Sequence, residues 1–266
     1  VYGNLPISYT FTEAYNDWKT HKPLPWKPTI SEKRLWSISD HKFPGWCLTI
    51  PDQSRADEFI SDYKSRIKQG ITPPDLTILY LEQDHTSGEA RGMPTPQAMN
   101  ADNDYAIERA DDAVSHSKYW KSTVIFIIED DPQDGYDHID GHRSICLAVS
   151  PYSQGNGINR TYYDQAALLH TIEAFLHIPP MTRFDRNAPI MTNCFGSTPN
   201  LAPYNAIAPK ISLTTLNGSG HQTLQFAYPD ESNDQALNHQ IWDSIYPHRP
   251  YPAQYCPPPD EGDDNN

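Results

Sequence analysis

Six carboxylates and two imidazoles fall within fourteen residues of this chain: Glu129, Asp130, Asp131, Asp134, Asp137, His138, Asp140 and His142 all lie between positions 129 and 142. The run follows Thr123-Val124-Ile125-Phe126-Ile127-Ile128, whose β-branched and aromatic residues read as a buried strand. Carboxylate and imidazole at a strand end are metal-ligand chemistry, and ligands gather at such rims in open α/β sheets. A second ligand-type pair, Asp84-His85, follows another apolar run, Leu76 to Leu81. If the two strands are neighbours, the two groups meet. That is the arrangement of a two-metal site, in which ions about 3.5–4 Å apart stabilise the attacking and leaving oxygens of a displacement at phosphorus. The competing reading is a solvated acidic loop with turns at Pro132 and Gly135. Mixed oxygen and imidazole ligation favours Zn or Mn, with Fe, Mg or Ca as further candidates.

The elements that must hold these residues alternate. Helices are expected at about 53–68, where Phe59, Ile60, Tyr63 and Ile67 recur at helical spacing, at about 95–115 behind Thr95-Pro96, and at about 163–175. Strands are expected at 76–81, 123–128 and 144–150. Continuous apolar strands between helices predict an α/β fold with a mostly parallel sheet flanked by helices. Four segments follow: 1–75, aromatic, proline-rich and mostly irregular with one helix; 76–205, the α/β core; 206–255, a C-terminal extension of that domain; and 256–266, a flexible acidic tail. Trp18, Trp26, Trp36 and Trp46 are too many for so few local strands to bury, which predicts an interface with a second chain or another part of the same domain.

Composition narrows the function. A net charge of −14 argues against a nucleic-acid partner, because a phosphate backbone needs Lys and Arg to displace its counterions. Mean hydropathy is −0.68, and no apolar run approaches the roughly 20 residues of a membrane span. The chain reads as soluble, without a signal peptide of its own. Walker and dinucleotide glycine loops and the Gly-x-Ser-x-Gly elbow are absent, which disfavours nucleotide-cofactor enzymes. His116, His170 and His177 sit on or beside expected helices and read as structural. Cys47, Cys146, Cys194 and Cys256 show no CxxC spacing. Cys146 reads as a buried strand thiol, while the loop residues Cys194 and Cys256 are candidates for a bridge. Asn159-Arg160-Thr161 and Asn217-Gly218-Ser219 fit the glycosylation acceptor pattern, which is too short to carry weight.

Asp84-His85-Thr86-Ser87-Gly88, Thr95-Pro96, Ala101-Asp102-Asn103-Asp104, Ser115-His116-Ser117, the 129–142 run and Ser150-Pro151-Tyr152 occur in one order. In that order they resemble the phosphoesterase family of the alkaline phosphatase superfamily, closest to the bacterial branch that often carries an attached β-propeller of the YncE type. The resemblance implies hydrolysis of phosphoric esters at two divalent metal ions, a phosphate-ester substrate and a periplasmic or extracellular location. It implies Asp84, His85, Asp130, Asp131, His138 and His142 as the ligand set, with the choice between His138 and His142 open. Glu129, Asp134, Asp137 and Asp140 would orient those ligands, Asp137 being an alternative ligand. Family members place a Glu-Asn ligand motif and a Ser or Thr nucleophile well before the Asp-His-Thr motif, and no such motif precedes Asp84 here. The expectation is therefore the C-terminal part of a phosphoesterase domain, its nucleophile supplied from elsewhere. The alternative is a catalytically inactive structural or binding protein on a phosphatase scaffold.

Overall fold

The computed structural model describes the chain except residues 1, 7, 31, 131–142, 155–156, 219–237, 240–241, 244, 247–248 and 253–266. In chain order the strands are β1 (Tyr2–Asn4), β2 (Lys27–Thr29), β3 (Ile125–Ile128) and β4 (Cys146–Val149). The principal helices are α1 (Phe11–Lys19), α2 (Lys33–Trp36), α3 (Asp52–Lys68), α4 (Pro96–Ser115), α5 (Gln165–Leu176) and α6 (Arg183–Asn187).

Local chemistry fixes the ends of the long helices. Thr95 caps α4 by accepting from the Ala98 N–H at 3.3 Å, with Pro96 in the first turn where its missing N–H costs nothing. Asp164 caps α5 through the Ala167 N–H at 2.8 Å. That helix stops at His177, left-handed at φ 55, just before Pro179. Helix α3 gives way to Gly70 at φ 75, a conformation that a side chain would strain.

Strands β3 and β4 pair antiparallel, with Ile125 opposite Val149, Phe126 opposite Ala148 and Ile128 opposite Cys146. Opposed residues share a face, so the pair has one side carrying Ile125 and Val149 and another carrying Phe126 and Ala148. The first side packs on a buried cluster of Tyr63, Val114 and Trp120, with Phe59 and Ile67 beside it. The second is covered by Phe175 of α5 and by Phe195, whose rings lie 6.5 and 6.2 Å from that of Phe126. Helices α3 and α4 thus form one layer, β3–β4 the middle, and α5 with the Phe195 turn the other. Residues 204–207 strap the outside of α4: the N–H groups of Tyr204, Ala206 and Ile207 donate to Ser115, Asp112 and Glu108.

Three expectations change. Residues 76–81 form no ladder among the described residues; Leu76, Ile78 and Tyr80 are 51, 84 and 41 % exposed. An apolar run becomes a strand only where a neighbour takes its backbone donors and acceptors. For the same reason a mostly parallel sheet is not seen: both described ladders are antiparallel. Cys146, expected to be buried, is exposed. The 1–75 segment also carries α1, opened by a capping box between Thr10 and Glu13. Of its tryptophans Trp36 is exposed and Trp18, Trp26 and Trp46 are half-buried. Among the described residues no helix is long and apolar enough to cross a membrane.

Candidate functional site

Asp84 and His85 close a 3₁₀ turn, Gln83–His85, that hangs from a buried polar network. At its centre is Arg55, fully buried. Its guanidinium donates to the carbonyls of Pro44, Ile50, Gly45 and Cys47, to Asp52 Oδ1 at 3.1 Å and to Glu82 Oε1 at 2.5 Å. Every N–H on that fork has an acceptor, which is what permits a cation to sit without water. Asp52 in turn accepts from the N–H groups of Glu82 and Gln83, fixing the turn's entry.

Helix α4 completes the frame. Pro51 provides no side-chain cap for α3, and Asp102 supplies one from the other helix, accepting the Asp52 N–H at 2.6 Å. Asn103 donates from one amide nitrogen to Asp52 Oδ2 at 3.0 Å and to Asp84 Oδ1 at 3.3 Å. The Asp84 carboxylate is thereby oriented from behind. Asn217 clamps the loop that follows, donating to the carbonyls of Gly88, Ala90 and Pro94. Its amide is committed to the fold, which speaks against a sugar at that position.

His85 is exposed, held edge-on by Trp46 with ring centroids 5.0 Å apart. Its Nδ1 lies 3.1 Å from the Thr86 carbonyl. A carbonyl only accepts, so Nδ1 is the donor in this contact and Nε2 is the ring nitrogen left facing away from it. Thr86 itself stands at φ 59, ψ 173, a region otherwise populated by glycine.

The second segment begins directly after β3. Glu129 is the last residue held by the ladder, its N–H bonded to the Ile145 carbonyl at 3.2 Å and its own carbonyl accepting from Ser144. The Asp130 carbonyl accepts from the Gln165 amide at the start of α5, at 2.7 Å. Charges from both segments converge. Partial desolvation raises the pKa of Asp84 from its ordinary value, although the residue stays exposed, and the charges of Asp52 and Glu129 raise it further. Tyr80, raised first by burial, also feels Glu82, Asp130 and Asp84 together. Such mutual repulsion is what a bound cation would relieve.

Of the expected site residues, Asp84 thus lies within electrostatic reach of Glu129, and Asp84 and Asp130 both lie within reach of Tyr80, while His85 follows Asp84 on the same turn. Asp131, Asp134, Asp137, His138, Asp140 and His142 lie outside the described residues. Among the described residues no group of three or more His, Cys, Asp or Glu side chains is arranged to hold a metal ion. Sequence reasoning missed Asp52, Arg55, Asp102 and Asn103. The signal available was the Ala101-Asp102-Asn103-Asp104 string on the α4 stripe, where acids and an amide interrupt an otherwise apolar face.

The layers around β3 and β4 have a recognisable pattern. Residues 93–179 match the model of the Phosphoesterase family. The Phosphoesterase match spans α4, β3, β4 and α5, about a third of the chain, and includes the whole 129–142 run. Asp84 and His85 precede it. No curated protein and no solved structure shows significant similarity to the chain.

Proposed function

We propose that this chain carries part of the active site of a metal-dependent phosphoesterase of the alkaline phosphatase superfamily, in its propeller-associated bacterial branch, and that it acts outside the cytoplasm. The observation that supports this most directly is the Phosphoesterase match over 93–179, which holds Glu129 and Asp130, together with the charge of Glu129 reaching Asp84 just before it and the charges of Asp84 and Asp130 both reaching Tyr80. Two divalent ions, Zn or Mn in preference to Fe, Mg or Ca, would be held by Asp84, His85 through Nε2, Asp130, Asp131 and an imidazole from His138 or His142. Bound there, they would polarise a phosphoryl oxygen and lower the pKa of the attacking group. Within this chain, Asn103 and Asp52 orient Asp84, and Trp46 and the Thr86 carbonyl orient His85.

The nucleophile would come from a segment beyond these residues that pairs along 76–81 and turns the local antiparallel pair into the mostly parallel sheet of the superfamily. Exposed Leu76, Ile78 and Tyr80 support that reading. The test is hydrolysis of p-nitrophenyl phosphate and its diester with Zn or Mn, by this chain alone and as part of its complete gene product. Turnover only in the longer product supports the proposal. Metal bound by both with turnover in neither favours a catalytically inactive protein on a phosphatase scaffold.

A further inference from the structure

Directly after β4 the chain turns back and pins a second segment over the sheet. Ser153 bridges to Phe195, Gln154 N–H donates to the Cys194 carbonyl at 3.0 Å, and Gly196 N–H donates to the Tyr152 carbonyl at 2.7 Å. The Phe195 ring thereby stands against Phe126. By register, Phe126, Ile128, Ala148 and Cys146 share one face of the β3–β4 pair, so Cys194, next to Phe195, is carried over the face on which Cys146 lies. Both are free thiols, and Cys146 is exposed. Its thiol is raised above the ordinary value by desolvation and further by Cys194, as two neighbouring groups that resist sharing negative charge should be.

We propose that Cys146 and Cys194 form a redox-switchable disulfide that ties β4 to the turn preceding Phe195. The oxidant is a low-molecular-weight disulfide. The Cys146 thiolate attacks one of its sulfurs, forming a mixed disulfide and expelling one thiolate; the Cys194 thiolate then attacks the Cys146 sulfur and expels the second. Two protein thiols are oxidised, one small disulfide is reduced to two thiols, and the two protons pass to the expelled thiolates. The bridge would fix the end of the pair from which Glu129 and Asp130 project, because Cys146 lies opposite Ile128. It stands independently of the phosphoesterase reading.

The full chain, equilibrated with mixtures of oxidised and reduced glutathione, is alkylated, digested without reductant and mapped by mass spectrometry. A linked Cys146–Cys194 peptide pair that disappears on reduction is expected, together with a thermal midpoint higher in the oxidised chain than in the reduced one. A Cys47→Ala/Cys256→Ala variant should keep both results, and Cys194→Ser should lose both. Alkylation of both thiols after oxidation, linkage of either to Cys47 or Cys256, or covalent dimers in place of the internal link would each overturn the proposal.

Discussion

A single amide nitrogen, Asn103 Nδ2, donates to Asp52 at 3.0 Å and to Asp84 at 3.3 Å, joining the buried frame to the rim. Replacing Asn103 by Ala should cost about 1–2 kcal/mol in stability, through the loss of its hydrogen bonds to the Asp52 and Asp84 carboxylates, although Asp52 Oδ2 keeps the Gln83 N–H. If Asp84 binds metal, the loss of its orienting partner should weaken Zn or Mn affinity by about 10–100-fold. Urea unfolding and metal titration by calorimetry separate the two effects.

Arg55 has no equivalent substitute. Arg55→Lys keeps the charge but cannot reach six acceptors, and Arg55→Met leaves Asp52 and Glu82 facing each other without a cation. Either change should destabilise the chain by about 3–5 kcal/mol, as breaking a buried ion pair does. Denaturant midpoints measure it. A loss below about 1 kcal/mol would mean that water, not this frame, solvates the carboxylates.

Helices α3, α4 and α5 were legible because their apolar spacing and their caps are local signals, and the structure places them at 52–68, 96–115 and 165–176. The buried frame was not. Arg55 meets Glu82, and Asp52 meets Asp102 and Asn103, across sequence separations that no window of periodicity spans. Polar residues on helices read as exposed until a distant partner satisfies them. The run 76–81 carried a strand's composition, but strand formation also needs a neighbour, and composition is silent on where that neighbour comes from. The ligand-type residues at 84, 85, 129 and 130 are plain in the sequence; the contacts that hold them, from Asn103 to the Asp84 carboxylate, from Trp46 to the His85 ring and from Gln165 to the Asp130 carbonyl, are not.

Asp102 makes stability depend on pH. Burial, then the charge of Asp52, raises its pKa from 3.8 to about 7. The folded state therefore binds more protons than the unfolded one between those values, and stability contributed by the protonated form is full below the unfolded pKa and declines as pH rises through about 7. At one unit per 1.36 kcal/mol the fall is on the order of 4 kcal/mol at most. Urea unfolding at pH 4.5 and 7.5 should show the parent losing stability toward the higher pH and Asp102→Asn losing less, the remainder coming from Glu82 and Asp111, which burial also raises to about 7. Equal slopes in the two proteins would remove Asp102 as the cause.

Thr86 holds a β-branched side chain where glycine is the usual residue. Thr86→Gly forfeits the hydrogen bond that the Thr86 hydroxyl accepts from the Gly88 N–H, yet relief of strain should leave a net gain of about 1 kcal/mol. Thermal unfolding of the variant beside the parent checks the sign.

Cooperative metal binding across the two segments is the central claim, and a double-mutant cycle tests it most directly. Zn or Mn affinity is measured for the parent, Asp84→Asn, Asp130→Asn and the double variant, with urea midpoints confirming that each is folded. Shared metals require each single change to lower affinity and the double change to cost clearly less than their sum, since the first already breaks the joint site. Strictly additive losses, or metal binding equal in all four proteins, would contradict a site built from Asp84 and Asp130 together.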